Sequence, residues 1–185
     1  MPHLDWLNDL QMGGIKFSPV RRAYQGYIYS LRTNPLYNRH LSPPPASAEK
    51  QGDWIDGYVQ REARGEEFYF LIERQDGCPC GTVRLYDFRQ NSFCWGSWIL
   101  DENKTRFSAV ESALLVYKVG FEKLGFTQSH FDVRVENTKV IRFHERMGAV
   151  RTEVLGEDQH MRITRGVFEI ERPKLIQVIQ RHIHK

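Results

Sequence analysis

Hydrophobic and polar positions in this chain follow two periods, and the period switches sharply in mid-sequence. From Glu66 the pattern is extended: EEFYFLIERQ, then GTVRLYDF, then SFCWGSWIL, with turn signals at Asp76-Gly77 and Gln90-Asn91. The aromatic and β-branched content and the turn-sized gaps predict an antiparallel three-stranded meander. The period then becomes helical. Val110, Ala113, Leu114, Tyr117, Phe121 and Leu124 form one apolar stripe, and Gly125 suits the end of that helix. From His130 to Val135 alternation returns, with Phe131, Val133 and Val135 on one side and Asp132 and Arg134 on the other. Asn137 then reads as the N-cap of a second amphipathic helix whose buried side is Val140, Phe143 and Met147, stopped by Gly148. Two more strands are expected near Ala149 to Gly156 and His160 to Glu171, and a basic helix from Pro173 to His184 closes the chain.

Upstream, Ile15 to Val20 reads as a short strand after a break at Gly13-Gly14, and Ala23 to Leu31 as a helix. Ser47 to Arg64 is expected to be helical, with Trp54, Ile55, Tyr58 and Val59 at near-helical spacing. Between these helices Leu31 to Ala48 carries Asn34-Pro35 and the Pro43 to Pro45 run, both hostile to helix. It reads as a long ordered loop, a kind of segment more often functional than accidental. The order of elements gives a mixed α/β layer architecture, and no fixed-period repeat is present.

Composition narrows the classes. At 185 residues the chain suits a single domain spanning 1–185, and 41% hydrophobic with 26% charged residues excludes wholesale disorder. No apolar run approaches the ~18 residues of a membrane span, and Met1 to Leu10 lacks the basic start of a signal peptide. A net charge of +3, spread without runs, permits an anionic ligand but gives no basic stripe for nucleic acid. The three cysteines are an odd set, and Cys78-Pro79-Cys80 is too tightly spaced for a zinc pair, so reduced thiols in a cytoplasmic protein and no metal are expected.

Chemistry is expected where the helix N-termini meet the sheet edge, because first-turn N–H groups and the helix dipole attract anions. The loop Asp101 to Ala109 adds Lys104 and Arg106 there and suits a phosphate-rich ligand; taken alone, it reads first as a capped helix start with solvated charges. Other readings are structural. Glu111 suits capping, Asp87 and Asp132 read as solvated strand residues as well as proton acceptors, and His182 and His184 as a frayed tail. Trp95 and Trp98, at odd spacing in one strand, should face opposite sides, with Trp95 either packed in the core or stacked on an acceptor.

The run from Asn137 to Ala149 (NTKVIRFHERMGA) resembles the closing motif of the GCN5-related N-acetyltransferases, the GNAT superfamily. The family's spacing is met by Asn137, Val140, Phe143, His144, Gly148 and Ala149, with His144 where the family usually has tyrosine. FEKLGF, Phe121 to Phe126, is similar to the end of the helix that follows the family's acyl-coenzyme A loop, which places that loop at Lys104-Thr105-Arg106-Phe107-Ser108-Ala109. The loop departs from the family pattern: Lys104 takes the place of Gln or Arg, Phe107 replaces a glycine, and only Ala109 fits. Glycine there lets backbone approach a pyrophosphate. The resemblance covers about Phe68 to Gly148 and is strongest to the branch of ribosomal-protein N-terminal and amino-sugar acetyltransferases.

The resemblance implies a mostly antiparallel sheet of about seven strands with helices on both faces, and acetyl-CoA as co-substrate without a metal. It implies direct attack of a primary amine on the thioester. Coenzyme contacts would come from Trp98, Ile99 and Leu100, whose backbone would supply donors to the developing oxyanion, from Lys104 to Ala109, and from Asn137 and Arg142. His144 would protonate or hydrogen-bond the departing thiolate, an imidazole titrating near neutrality in place of a phenol. Together with the loop Leu31 to Pro45, the resemblance to bacterial surface-polysaccharide enzymes favours a small acceptor, the amino group of a nucleotide-linked amino sugar. A protein N-terminal amine and a non-catalytic binding module built on the same fold are the alternatives, and a homo-oligomer is compatible with all three.

Overall fold

The computed structural model describes residues 5–183, with side chains to residue 181. The fold is mixed α/β with an eight-stranded, mostly antiparallel sheet in the order β1-β2-β3-β4-β5-β6-β8-β7. The chain divides into two compact units, Met1–Asp87 with Trp95–Val116, and Phe88–Cys94 with Tyr117–Lys185.

In the first unit, β1 (Gln11–Met12) and β2 (Ile15–Pro19) form a hairpin. The break expected at Gly13-Gly14 is its turn, with Gly13 at φ +55, and β1 is the eighth strand that apolar alternation was too short to reveal. β2 pairs antiparallel with β3 (Phe68–Arg74), and β3 with β4 (Pro79–Tyr86). Helices α1 (Gln25–Thr33) and α2 (Ala48–Ala63) flank the irregular segment as expected, and the Ser47 hydroxyl caps α2 by accepting from Lys50 N at 3.1 Å. Their apolar residues close a core of Val20, Ile28, Ile55, Tyr58, Tyr69 and Leu71.

β5 (Ser92–Leu100) carries an irregularity. Ser97 sits at φ +47, a left-handed conformation in mid-strand that marks a bulge. Its carbonyl accepts from Thr82 Oγ1 at 3.0 Å. The bulge resets the alternation, so Trp95 and Trp98 do not face opposite sides: their ring centroids lie 5.3 Å apart. After β5, α3 (Ser108–Tyr117) is buried around its whole circumference from Glu111 onward rather than along one stripe.

In the second unit the expected helix end is a π-helical turn, Lys118–Lys123. Gly120 explains the distortion: a Cβ there would lie 2.2 Å from the Phe93 ring, so the turn passes over Phe93 only without a side chain. β6 (Gln128–Arg134) runs parallel to β5 at Ser92↔Gln128 and Phe93↔Ser129, and antiparallel to β8 (Asp158–Thr164). Ser129, Phe131 and Val133 face inward, whereas Val135 lies past the strand and is exposed. α4 (Thr138–Arg146) buries Ile141 and His144, followed by Met147, while Val140 and Phe143 are half-buried; its inner face is turned relative to the expected one. β7 (Val150–Leu155) is an exposed edge strand.

The strand expected from His160 to Glu171 stops at Thr164, where α5 (Arg165–Ile183) begins. The cause is tertiary: Phe168 packs against Tyr117 and Phe121 at centroid distances of 4.7 and 5.8 Å, which helical geometry allows. Pro173 lies inside α5 rather than at its start. The His182 and His184 side chains lie outside the described residues. Among the described residues, no helix is long and apolar enough to cross a membrane.

Candidate active site

The end of β5 and the segment into α3 bring together most of the residues expected to meet a coenzyme. Trp98 is half-buried, and its indole N–H donates to Ser112 Oγ in the first turns of α3 at 3.1 Å. Ile99 is buried and Leu100 half-buried; Gly81 on β4 lies so close that a Cβ there would meet Ile99 O at 2.2 Å. Asp101 N donates to Cys80 O at 3.0 Å, extending the strand contact to the start of the loop.

From Asp101 onward hydrogen bonds shape the chain. The Asp101 carboxylate is buried and accepts from Asn103 N at 2.8 Å and Tyr27 Oη of α1 at 2.7 Å. Burial and this carboxylate together raise the Tyr27 pKa, so the phenol stays a donor. Glu102 accepts from Tyr37 Oη at 2.6 Å, which ties the segment between α1 and α2 to the same loop. Lys104 Nζ rests on Asp101 O at 3.1 Å. Ser108, fully buried, reaches back so that its hydroxyl accepts from Thr105 N and meets Thr105 Oγ1, both at 2.9 Å. The loop is thereby closed on itself at the N-terminus of α3, where the first-turn amides have no partner within the helix.

Phe107, in the place of a glycine, is accommodated. Among the described residues only Asp87 and Ser97 combine a side chain with a positive φ, so no position from Lys104 to Ala109 needs the left-handed region. Its ring is half-buried under the Arg106 guanidinium, 5.4 Å from centroid to carbon. Arg106 and Lys104 are exposed, and Ala109 is half-buried.

Glu111 does something other than cap its own helix. Its carboxylate is 2% exposed, Oε1 accepts from Gly14 N at 3.1 Å, and Oε2 is buried without a hydrogen-bond partner. Burial raises its pKa, against the opposing pull of the Gly14 N–H.

The remaining expected residues lie on α4. The Asn137 side chain caps the helix, accepting from Val140 N at 3.4 Å, and Arg142 is exposed. His144 is 4% exposed, its ring 4.4 Å from that of Phe131 and 5.6 Å from that of Phe143. This apolar setting opposes charging and lowers its pKa from 6.5 to about 3. The expectation of an imidazole titrating near neutrality is therefore corrected: at pH 7 His144 is neutral. Asp132 is exposed on β6 and Asp87 lies beyond β4. Tyr27, Tyr37, Ser97 and Ser112 were not singled out from sequence; a tyrosine-rich helix beside a proline-rich loop was the one signal pointing toward the first two.

The chain belongs to the GNAT acetyltransferase family: the model of the acetyltransferase (GNAT) domain matches residues 15–150. It is accordingly an acetyl-CoA-dependent N-acetyltransferase. A solved structure of apo FdhC, described as a nucleotide-linked sugar GNAT, is 43% identical, with a TM-score of 0.83 over 89% of this chain and 94% of that one. An uncharacterized SPbeta prophage-derived N-acetyltransferase of Bacillus subtilis, YokL, is 21% identical over 67% of each chain. The spermidine N-acetyltransferase of Vibrio cholerae, solved with CoA and spermine, superposes with a TM-score of 0.72 over 84% of this chain and 98% of its own; at 18% identity this likeness is one of fold.

Proposed function

We propose that this enzyme acetylates the primary amine of a nucleotide-linked amino sugar. The observation that carries the reading is the 43% identity, over nearly the full length of both chains, to a nucleotide-linked sugar GNAT. In the reaction the neutral amine attacks the thioester carbonyl carbon, a C–N bond forms, the C–S bond breaks, and the proton given up by the amine nitrogen is balanced by the one the departing sulfur takes up. Amide and coenzyme A thiol are the products.

The loop residues fit a diphosphate. Lys104 and Arg106 bring positive charge to the N-terminus of α3, whose dipole favours an anion; Ser108 N already donates to Thr105 O and Glu111 N to Phe107 O, so Ala109 and Val110 are the first-turn amides this reading turns to the phosphates. Coenzyme bound there supplies the activated acetyl group. In this reading the β5 backbone near Trp98, Ile99 and Leu100 donates to the developing oxyanion. In this reading Arg142, exposed in the middle of α4, takes a phosphate oxygen, and Asn137 caps the start of that helix. His144 acts as a neutral imidazole whose N–H supports the departing sulfur, since imidazolium is scarce with a pKa of about 3.

Thiol release from acetyl-CoA, followed with a panel of nucleotide-linked amino sugars, spermidine and short peptides with free N-termini, tests the assignment. The expected result is turnover confined to the sugar nucleotides. Turnover of peptides or polyamine with none of the sugar nucleotides would overturn it.

A further inference from the structure

We propose that Glu111, together with the Gly13-Gly14 turn, is a positioning device for the coenzyme loop; the inference rests on reading Lys104–Ala109 as the diphosphate site. Three observations meet at this point. First, a carboxylate in the first turn of α3, 2% exposed, spends its one hydrogen bond on Gly14 N, 97 residues away in sequence, while Oε2 stays buried and unpartnered. Burying a carboxyl group this incompletely is costly, and stability alone favours an apolar side chain there.

Second, the fit of the turn is close. A Cβ on Gly13 would lie 2.0 Å from Glu111 Oε1, and Gly13 holds φ +55, so this residue is glycine for both space and conformation. Third, the same turn touches the other end of the loop: a Cβ on Gly14 would meet Thr105 Oγ1 at 3.4 Å and Glu111 Oε2 at 3.6 Å. The β1–β2 hairpin thus backs both Thr105, where the loop closes on Ser108, and Glu111, where the helix starts.

With the hairpin pinned by Glu111, the Thr105–Ser108 closure and the first-turn amides are held in one geometry before any phosphate arrives. Binding then costs less ordering of the loop. Glu111 touches neither coenzyme nor acceptor in this scheme and acts through Gly14 and Thr105. A glutamine keeps the acceptor oxygen for Gly14 N; an alanine does not.

The test is acetyl-CoA binding by titration calorimetry alongside steady-state kinetics, on folded protein verified by circular dichroism. Glu111→Ala and, independently, Gly13→Ala are expected to weaken acetyl-CoA binding and raise its KM by about tenfold, with kcat held within about twofold. Glu111→Gln should recover binding to within about threefold of the parent. A general loss of structure would instead lower kcat and KM-derived affinity together, without rescue by glutamine. A Lys104→Ala/Arg106→Ala variant separates the underlying reading: if it binds acetyl-CoA as tightly as the parent, the loop is not the diphosphate site. If it binds weakly while Glu111→Ala and Gly13→Ala bind normally, the loop assignment stands and the positioning role is refuted.

Discussion

His144 offers a quantitative check because the same burial governs stability and chemistry. The imidazole is 4% exposed between Phe131 and Phe143, and its pKa falls from 6.5 to about 3. Above pH 6.5 both folded and unfolded chains carry it neutral, and nothing is lost. Below 6.5 the unfolded chain takes up a proton that the folded one refuses, so stability falls as pH falls, until the folded pKa is passed. Each pH unit costs about 1.4 kcal/mol, which comes to about 2 kcal/mol by pH 5 and on the order of 5 kcal/mol by pH 3.

Urea unfolding of the parent and of His144→Phe at pH 7.5, 6.5, 5.5 and 5.0 reads this directly. The variant keeps an aromatic ring among aromatic neighbours but cannot be protonated. The loss of stability between pH 7.5 and 5.0 should therefore be smaller in the variant by about 2 kcal/mol. Parallel pH dependences, or an imidazole resonance for His144 that titrates near 6.5, would refute the reasoning. The same variant tests the chemistry. Loss of the N–H should lower kcat by about tenfold at unchanged acetyl-CoA KM, whereas His144→Tyr, which restores a donor, should retain most of the rate. An undiminished kcat in His144→Phe would remove the sulfur-supporting role.

Two further outcomes follow from packing and hydrogen bonding. Gly120→Ala drives a methyl to 2.2 Å from the Phe93 ring and should cost about 1–3 kcal/mol, read as a fall of several degrees in Tm by calorimetry; an unchanged Tm would mean that the π-turn has another cause. Tyr27→Phe strips the phenolic donor from the buried Asp101 carboxylate and should cost about 1.5–3 kcal/mol by urea unfolding. A cost below about 0.5 kcal/mol would show that Asp101 finds another partner.

What could be read in the sequence was local in origin. Strand alternation, the Asn137 cap, the stops at Gly125 and Gly148, and the spacing from Asn137 to Ala149 each depend on neighbours a few residues away, so they survive without knowledge of the fold. The same holds for the basic loop ahead of α3. What the tertiary structure decided involves partners far apart in the chain. Gly120 meets Phe93 and opens a π-turn; the Ser97 bulge turns Trp98 onto Trp95; Phe168 on Tyr117 converts an apparent strand into the start of α5. Glu111 finds Gly14, and apolar neighbours make His144 neutral at pH 7. Periodicity reports which side of an element is apolar, but not which atoms it will touch, and side-chain contacts and proton affinities are set by those atoms.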